Sequence, residues 1–225
     1  MKWCEVQTSS APLSRSSHGV SIIGDKLFMF GGEHEARTPV ANDVQVLELT
    51  TGQWSRLVTS GSAPSPRFGH GQCVVGQWVY VFGGRQGTAI DEKLLNDMYR
   101  LDTDTGVWTE VSTSGDTPCP RSYHSMVAHG QCLYVFGGCP DQGRLADLYQ
   151  YNTGTQTWSQ LRSGPMEGRG GTPLAVINGH IFVVGGFAGR EMADIHSYNI
   201  EENTWTTHAT VTTLFIIAMI SFTQS

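Results

Sequence analysis

An all-β fold made of four copies of one four-stranded unit is predicted by three observations. An arginine stands 16 residues before the first glycine of a Gly-Gly pair four times over, at Arg15, Arg67, Arg121 and Arg169. An aspartate stands 11 residues before a tryptophan four times, in Asp43/Trp54, Asp97/Trp108, Asp147/Trp158 and Asp194/Trp205. Only the link between these halves changes, with 12, 14, 10 and 9 steps from the first glycine to the aspartate. Constant spacing marks paired strands, and variable spacing marks one loop. The Gly-Gly pairs recur every 52, 54 and 48 residues, a period at which four-stranded sheets repeat around an axis as the blades of a β-propeller.

Each unit reads as four strands. The first follows the arginine (HGVSII, HGQCVV, HSMVAH, TPLAVI), and a turn at Gly24-Asp25, Gly76-Gln77, Gly130-Gln131 or Asn178-Gly179 leads into the second (KLFMF, WVYVF, CLYVF, HIFVV). These second strands are continuously apolar, so both of their faces should be covered, as neighbouring blades would cover them. The Gly-Gly pair is expected to end the strand through backbone angles that a side chain forbids. The third strand begins at the aspartate (DVQVLEL, DMYRLD, DLYQYN, DIHSYN), and a polar turn leads to the tryptophan strand. The four tryptophans are expected as core anchors between blades.

The repeats run over about 14–58, 66–112, 120–162 and 168–208, within one propeller domain at 1–208. Ahead of them, WCEV around Trp3 resembles the last strand of a further unit. After Trp205 the pattern asks for another arginine near residue 218, and the chain reads TVTTLFIIAMISFTQS instead. The expectation is four complete blades, an orphan strand, a probable open ring and a non-repeat apolar tail at 209–225, with truncation or aberrant splicing as its source. Leu214 to Phe222 is nine residues long, too short to span a bilayer.

The charge balance of 14 basic against 20 acidic residues, net −6, disfavours nucleic acid or an anionic membrane as partner. Five cysteines, Cys4, Cys73, Cys119, Cys132 and Cys139, lack the close pairing of a zinc site and read as idle thiols in a reducing compartment. With a polar Met1–Ser10 and no Asn-x-Ser/Thr sequon, the expected location is the cytoplasm or nucleus. There is no Gly-x-Ser-x-Gly elbow, no phosphate-binding glycine loop and no His-Glu-x-x-His, so no catalytic residue is assigned.

The loops after Gly-Gly and the linkers before each arginine should emerge on one face, and loops on a rigid scaffold carry binding. That face supplies the candidate binding residues Glu33, His34, Arg85, Arg144 and Arg190. The repeated Arg15, Arg67, Arg121 and Arg169 join them, either ringing the channel mouth to hold an anion or pairing with the aspartates and carbonyls next door. His18, His70 and His124 share one position, filled by Thr172 in the last unit; packing is the expected role, and no metal is assigned.

Paired glycines, a spaced aromatic and then tryptophan, in four matched copies, resemble the kelch-repeat family. RSSH with FGGE, RSYH with YVFGGC, GRLADLY and VVGGFAGREMADIHSYN are similar to its nitrile-specifier and epithiospecifier branch. That resemblance implies ferrous iron, held by a Glu-x-x-x-Asp-x-x-x-His run, and action on glucosinolate breakdown products. This chain contains no such run; Glu191, Asp194 and His196 come nearest in composition at different spacing. The expected function is therefore a non-enzymatic module that binds a protein partner through the variable-loop face, without a cofactor. An iron-dependent specifier-like protein is the alternative.

Overall fold

The computed structural model describes residues 5–88 and 91–208, and every regular element in them is a strand. Blade I contains β1 (Gly19–Ile23), β2 (Lys26–Phe30), a small ribbon of β3 (Glu33–Glu35) and β4 (Thr38–Pro39), then β5 (Val44–Glu48) and β6 (Gln53–Leu57). Blade II has β7 (Ser60–Gly61), β8 (Gly71–Val75), β9 (Trp78–Gln86), β10 (Lys93–Asp102) and β11 (Val107–Glu110). Blade III has β12 (Ser114–Gly115), β13 (Ser125–His129), β14 (Cys132–Gly138), β15 (Leu145–Asn152) and β16 (Thr157–Gln160). Blade IV has β17 (Leu174–Ile177), β18 (His180–Phe187), β19 (Glu191–Asn199) and β20 (Thr204–His208).

Within each blade the four long strands pair antiparallel in chain order, from the inner strand after the arginine to the outer tryptophan strand. The inner strands β1, β8, β13 and β17 pack side by side in sequence, and β17 makes no comparable packing on β1. The described blades therefore form an open propeller arc. No helix among the described residues is long and apolar enough to cross a membrane.

The core lies between the blades, in three clusters. Phe28, Phe30, Val44 and Val46 of blade I meet Val79, Val81, Leu101 and Trp108 of blade II. Tyr80, Phe82 and Met98 of blade II meet Met126, Leu133, Val135, Tyr151 and Trp158 of blade III. Tyr134, Phe136 and Leu148 of blade III meet Leu174, Ile181, Val183 and Tyr198 of blade IV. The alternation of a strand sends one residue forward and the next back, so a continuously apolar second strand feeds two clusters at once. Each tryptophan reaches back to the phenylalanine before the Gly-Gly pair of the preceding blade: Trp108 lies 5.3 Å from Phe30, Trp158 4.9 Å from Phe82 and Trp205 6.1 Å from Phe136, between ring centroids.

Two features differ from expectation. In blades II and IV the second strand runs through the Gly-Gly pair to Gln86 and Phe187, in blade III it includes both glycines, and the third strand starts at Lys93, Leu145 or Glu191, before the aspartate. The glycines form a kink inside the ladder, marked by a register shift in each of these blades. Gly84, at φ 96°, shows why: a Cβ there would lie 2.8 Å from the Phe68 carbonyl oxygen. The second difference is the pair of short outer strands, β7 and β12, which run parallel to β11 and β16 and tie each linker to the next blade's rim. Of the expected orphan strand, residues 1–4 lie outside the described residues and Glu5 and Val6 are exposed without strand pairing; the expected tail at 209–225 also lies outside them.

Trp158→Ala is expected to cost about 3–5 kcal/mol in denaturant unfolding, because the ring is buried between two blades. Trp54→Ala, on the half-buried end of the arc, is expected to cost about 1–2 kcal/mol by the same measurement.

Candidate functional site

The repeated arginines form the frame on which any site must sit. Arg67, Arg121 and Arg169 are 0 % exposed. Arg67 donates Nη1 and Nη2 to the two carboxylate oxygens of Asp97 at 2.6 and 3.0 Å, Arg121 to Asp147 at 2.7 and 2.9 Å, and Arg169 to Asp194 at 2.5 and 2.9 Å. Each Nη1 also donates to the carbonyl of the first paired glycine, Gly83, Gly137 or Gly185, at 2.9–3.0 Å. Each Nε donates to the carbonyl two residues upstream. The guanidiniums of Arg67 and Arg121 sit 5.3 Å from the ring centres of Tyr99 and Tyr149. In blade IV His196 replaces that tyrosine, with Nε2 2.9 Å from Asp194 Oδ2. Hydrogen bonds from Arg169, then from His196, outweigh burial and hold the Asp194 carboxyl at about 2.

The same arginines join blades through their backbone. The carbonyls of Arg67, Arg121 and Arg169 accept from the second paired glycine of the preceding blade, Gly32, Gly84 and Gly138, at 2.8–2.9 Å. Two residues on, Ser17, Gly69, Tyr123 and Gly171 all take left-handed backbone angles, φ 54–61°. Gly69 N–H donates to the Ser17 carbonyl, Tyr123 to Gly69 and Gly171 to Tyr123, at 2.7–2.9 Å, so a belt of hydrogen bonds runs round the axis. The buried guanidiniums are thus consumed by the frame and present no edge to an anion. Arg15 is less enclosed: it donates to the Gly31 and Leu13 carbonyls, and burial lowers its pKa against the opposing pull of Asp43.

The histidines wedge between blades. His124 Nε2 lies 3.0 Å from Gly71 N, where it accepts, and its ring meets Phe82 edge-on at 5.4 Å; His70 meets Phe30 in the same way at 5.5 Å. Together with His18 and Thr172 they line an axial depression of about 240 Å³. Burial, reinforced by the charge of Arg67 or Arg121, pushes the pKa of His70 and His124 down to about 3, so both rings are neutral. Among the described residues no group of three His, Cys, Asp or Glu is placed to hold a metal, and Cys73, Cys119, Cys132 and Cys139 are free thiols.

The remaining candidates do share the variable-loop face. Glu33 accepts from Ser17 Oγ and from the Arg37 N–H, both at 2.7 Å, while His34 Nδ1 meets the Ser14 carbonyl at 2.8 Å. Arg85 donates to Glu92 and to Ser122 Oγ at 2.8 Å, and Arg37 lies 3.6 Å from Glu92. Arg190 forms a two-pronged pair with Glu167 at 2.9 Å in open solvent. Arg144 has no carboxylate partner among the described residues; its guanidinium lies 4.8 Å from the ring centre of Phe187.

Sequence reasoning missed two residues here. Phe187 is 41 % exposed and Tyr123 36 % exposed, and Gly170 joins them by pairing with Phe187 and lying against Tyr123 Cβ. Their signal was an aromatic side chain at a loop position that Ser17, Gly69 and Gly171, or Glu33 and Arg85, fill with small or charged residues in the other blades.

Residues 17–214 match the KLHDC2/KLHL20/DRC7 Kelch-repeats domain. The chain belongs to the kelch-repeat family. It is 30 % identical over 215 residues to Kelch domain-containing protein 3 of Bos taurus, covering 88 % of this chain and 55 % of that one. It is 34 % identical over 201 residues to the N-(sulfonatooxy)prop-2-enimidothioate sulfolyase of Thlaspi arvense, covering 83 % and 56 %. Acyl-CoA-binding domain-containing protein 4 of Arabidopsis thaliana is 31 % identical over 193 residues, 84 % of this chain and 27 % of that one. The kelch chain described here spans about half the length of the first two.

Arg121→Ala is expected to lower unfolding free energy by about 3–5 kcal/mol, since it strands Asp147 and the Gly137 carbonyl, whereas Arg190→Ala should leave the denaturant midpoint unchanged. Acid should destabilise the kelch frame through the histidines. Unfolded imidazoles protonate below about pH 6.5 while His70 and His124 stay neutral to about 3, so stability is full above that range and falls through it by up to about 3 kcal/mol per pH unit for the two. Denaturant midpoints measured from pH 7 to 4 check this, and His124→Gln should shallow the slope.

Proposed function

We propose that the chain is a kelch-repeat binding module that takes a protein partner on its variable-loop face in the cytoplasm. The observation that carries this is the patch made by Tyr123, Phe187 and the unpaired Arg144, held on the belt beside the axis. Tyrosine and arginine are the residues that dominate interface energetics, because they combine large contact area with directional hydrogen bonding. The neighbouring Glu33, Arg37, Arg85 and Glu92 network gives the patch a polar rim of both signs. Tyr123 also bears on binding through its backbone: left-handed φ costs a non-glycine residue about 1 kcal/mol, and three equivalent positions use Ser or Gly.

A second reading, iron-dependent action on glucosinolate breakdown products, is favoured by the identity with the Thlaspi arvense sulfolyase. The residues nearest to an iron set do not fit it: Asp194 is engaged by Arg169 and His196, and His196 is bonded to Asp194 and Thr207.

Affinity purification with wild-type and variant baits separates the readings. Partners bound by the wild type should be lost, at least tenfold in recovered mass-spectrometric signal, from Arg144→Glu and Tyr123→Gly, and retained by Arg56→Ala on a different groove of the blade I/II boundary. Tyr123→Gly should leave stability within about 0.5 kcal/mol, since relieved strain offsets added chain entropy. Equal recovery by all baits would place binding elsewhere. Nitrile formed from glucosinolate breakdown products with added ferrous ion would favour the second reading; none is expected.

A further inference from the structure

The three blade junctions are one junction repeated, and the two ends of the arc carry its two unmatched halves. On the side facing the preceding blade, Met126 and Leu174, and Val79, Leu133 and Ile181, are buried. Their equivalents on blade I are Val20, 41 % exposed, and Leu27, half-buried, with Ile22 and Trp54 half-buried beside them. On the side facing the following blade, Tyr80 and Tyr134, Phe82 and Phe136, and Met98 and Leu148 are buried. Their equivalents on blade IV are Phe182, Val184 and Ile195, all half-buried.

The polar groups divide in the same way. Each junction is sewn by a second-glycine N–H donating to an arginine carbonyl and by one belt bond. Blade IV presents the equivalent Gly186 N–H and Gly171 carbonyl, and blade I presents the Arg15 carbonyl and Ser17 N–H, with no such bond between them among the described residues. One end therefore offers the apolar and hydrogen-bonding surface that three internal junctions show to be the complement of the other.

We propose that two copies of this chain close on each other head to tail, blade IV of each on blade I of its partner, as one eight-bladed ring. Eight blades lie within the four to eight that propellers use. A head-to-tail contact made twice about a two-fold axis closes and leaves neither apolar face in water, whereas a single contact of this kind would propagate as a filament. This inference is independent of the partner proposed for the variable-loop face, which stays open on the ring's rim.

Sedimentation velocity and light scattering of the 225-residue chain at micromolar concentration test it. The expected species has twice the 24.5 kDa chain mass. Val20→Glu, at an exposed strand position, and Phe182→Arg should each raise the dissociation constant at least a hundredfold with an unchanged circular dichroism spectrum. Mixing the two variants should restore dimers, because one junction in the mixed pair joins two intact faces. A monomeric wild type, an open-ended polymer, or a dimer that survives Val20→Glu would overturn the proposal.

Discussion

Everything in this structure depends on how a buried guanidinium is satisfied. Arg67, Arg121 and Arg169 each sit where one side chain reaches an aspartate on the third strand, a glycine carbonyl on the second and its own upstream linker. Those three elements come from different parts of a repeat, so the arginine fixes the one joint that strand pairing alone leaves loose, the end of the hairpin next to the axis. The charge is fully desolvated, which is costly, and only a planar fork with matched acceptors recovers the cost. Lysine has the charge without the fork, and it occupies none of the four positions.

The glycine pairs follow from that joint. The carbonyl of the next blade's arginine accepts from the second glycine, so two backbones must approach where any side chain would intrude. Blade packing, strand kink and side-chain burial are therefore one constraint seen from three directions. This explains why the arginine-to-glycine spacing is invariant at 16 while the stretch just beyond the glycines, outside the joint, varies in length.

Much of this was legible in the sequence, and the reason is repetition. The strands, the blades, the inter-blade tryptophans and the choice between a ligand-binding and a paired arginine were all posed by spacing, because a side chain with a rigid partner cannot drift in register. What escaped was whatever depends on backbone shape and not on residue type. The left-handed belt uses Ser17, Gly69, Tyr123 and Gly171, four positions without a common side chain. The short β7 and β12 strands left only the faint trace of Ser60-Gly61 and Ser114-Gly115, each seven residues ahead of an arginine. The variable-loop face was placed correctly as a neighbourhood, but its charges were given equal weight. Arg85 and Arg190 turn out to be occupied by Glu92 and Glu167, while Arg144 is not. Ion pairing between loops of unlike length has no fixed spacing to betray it.

The belt also connects frame to function. A left-handed residue held by hydrogen bonds on both sides has little freedom to move, so its side chain leaves the surface in a defined direction. At three of the four positions the chain spends that rigidity on serine or glycine, which project little. At Tyr123 it projects a whole aromatic ring, 6.3 Å from Phe68 and beside the Phe187 and Arg144 pair. A strained backbone angle is tolerated where its surroundings over-determine it, and here the surroundings are the stitched junctions on either side of blade III. The forces that assemble the blades thus pre-organise the surface on which a partner is read, and binding there need not bear the entropy of ordering a loop.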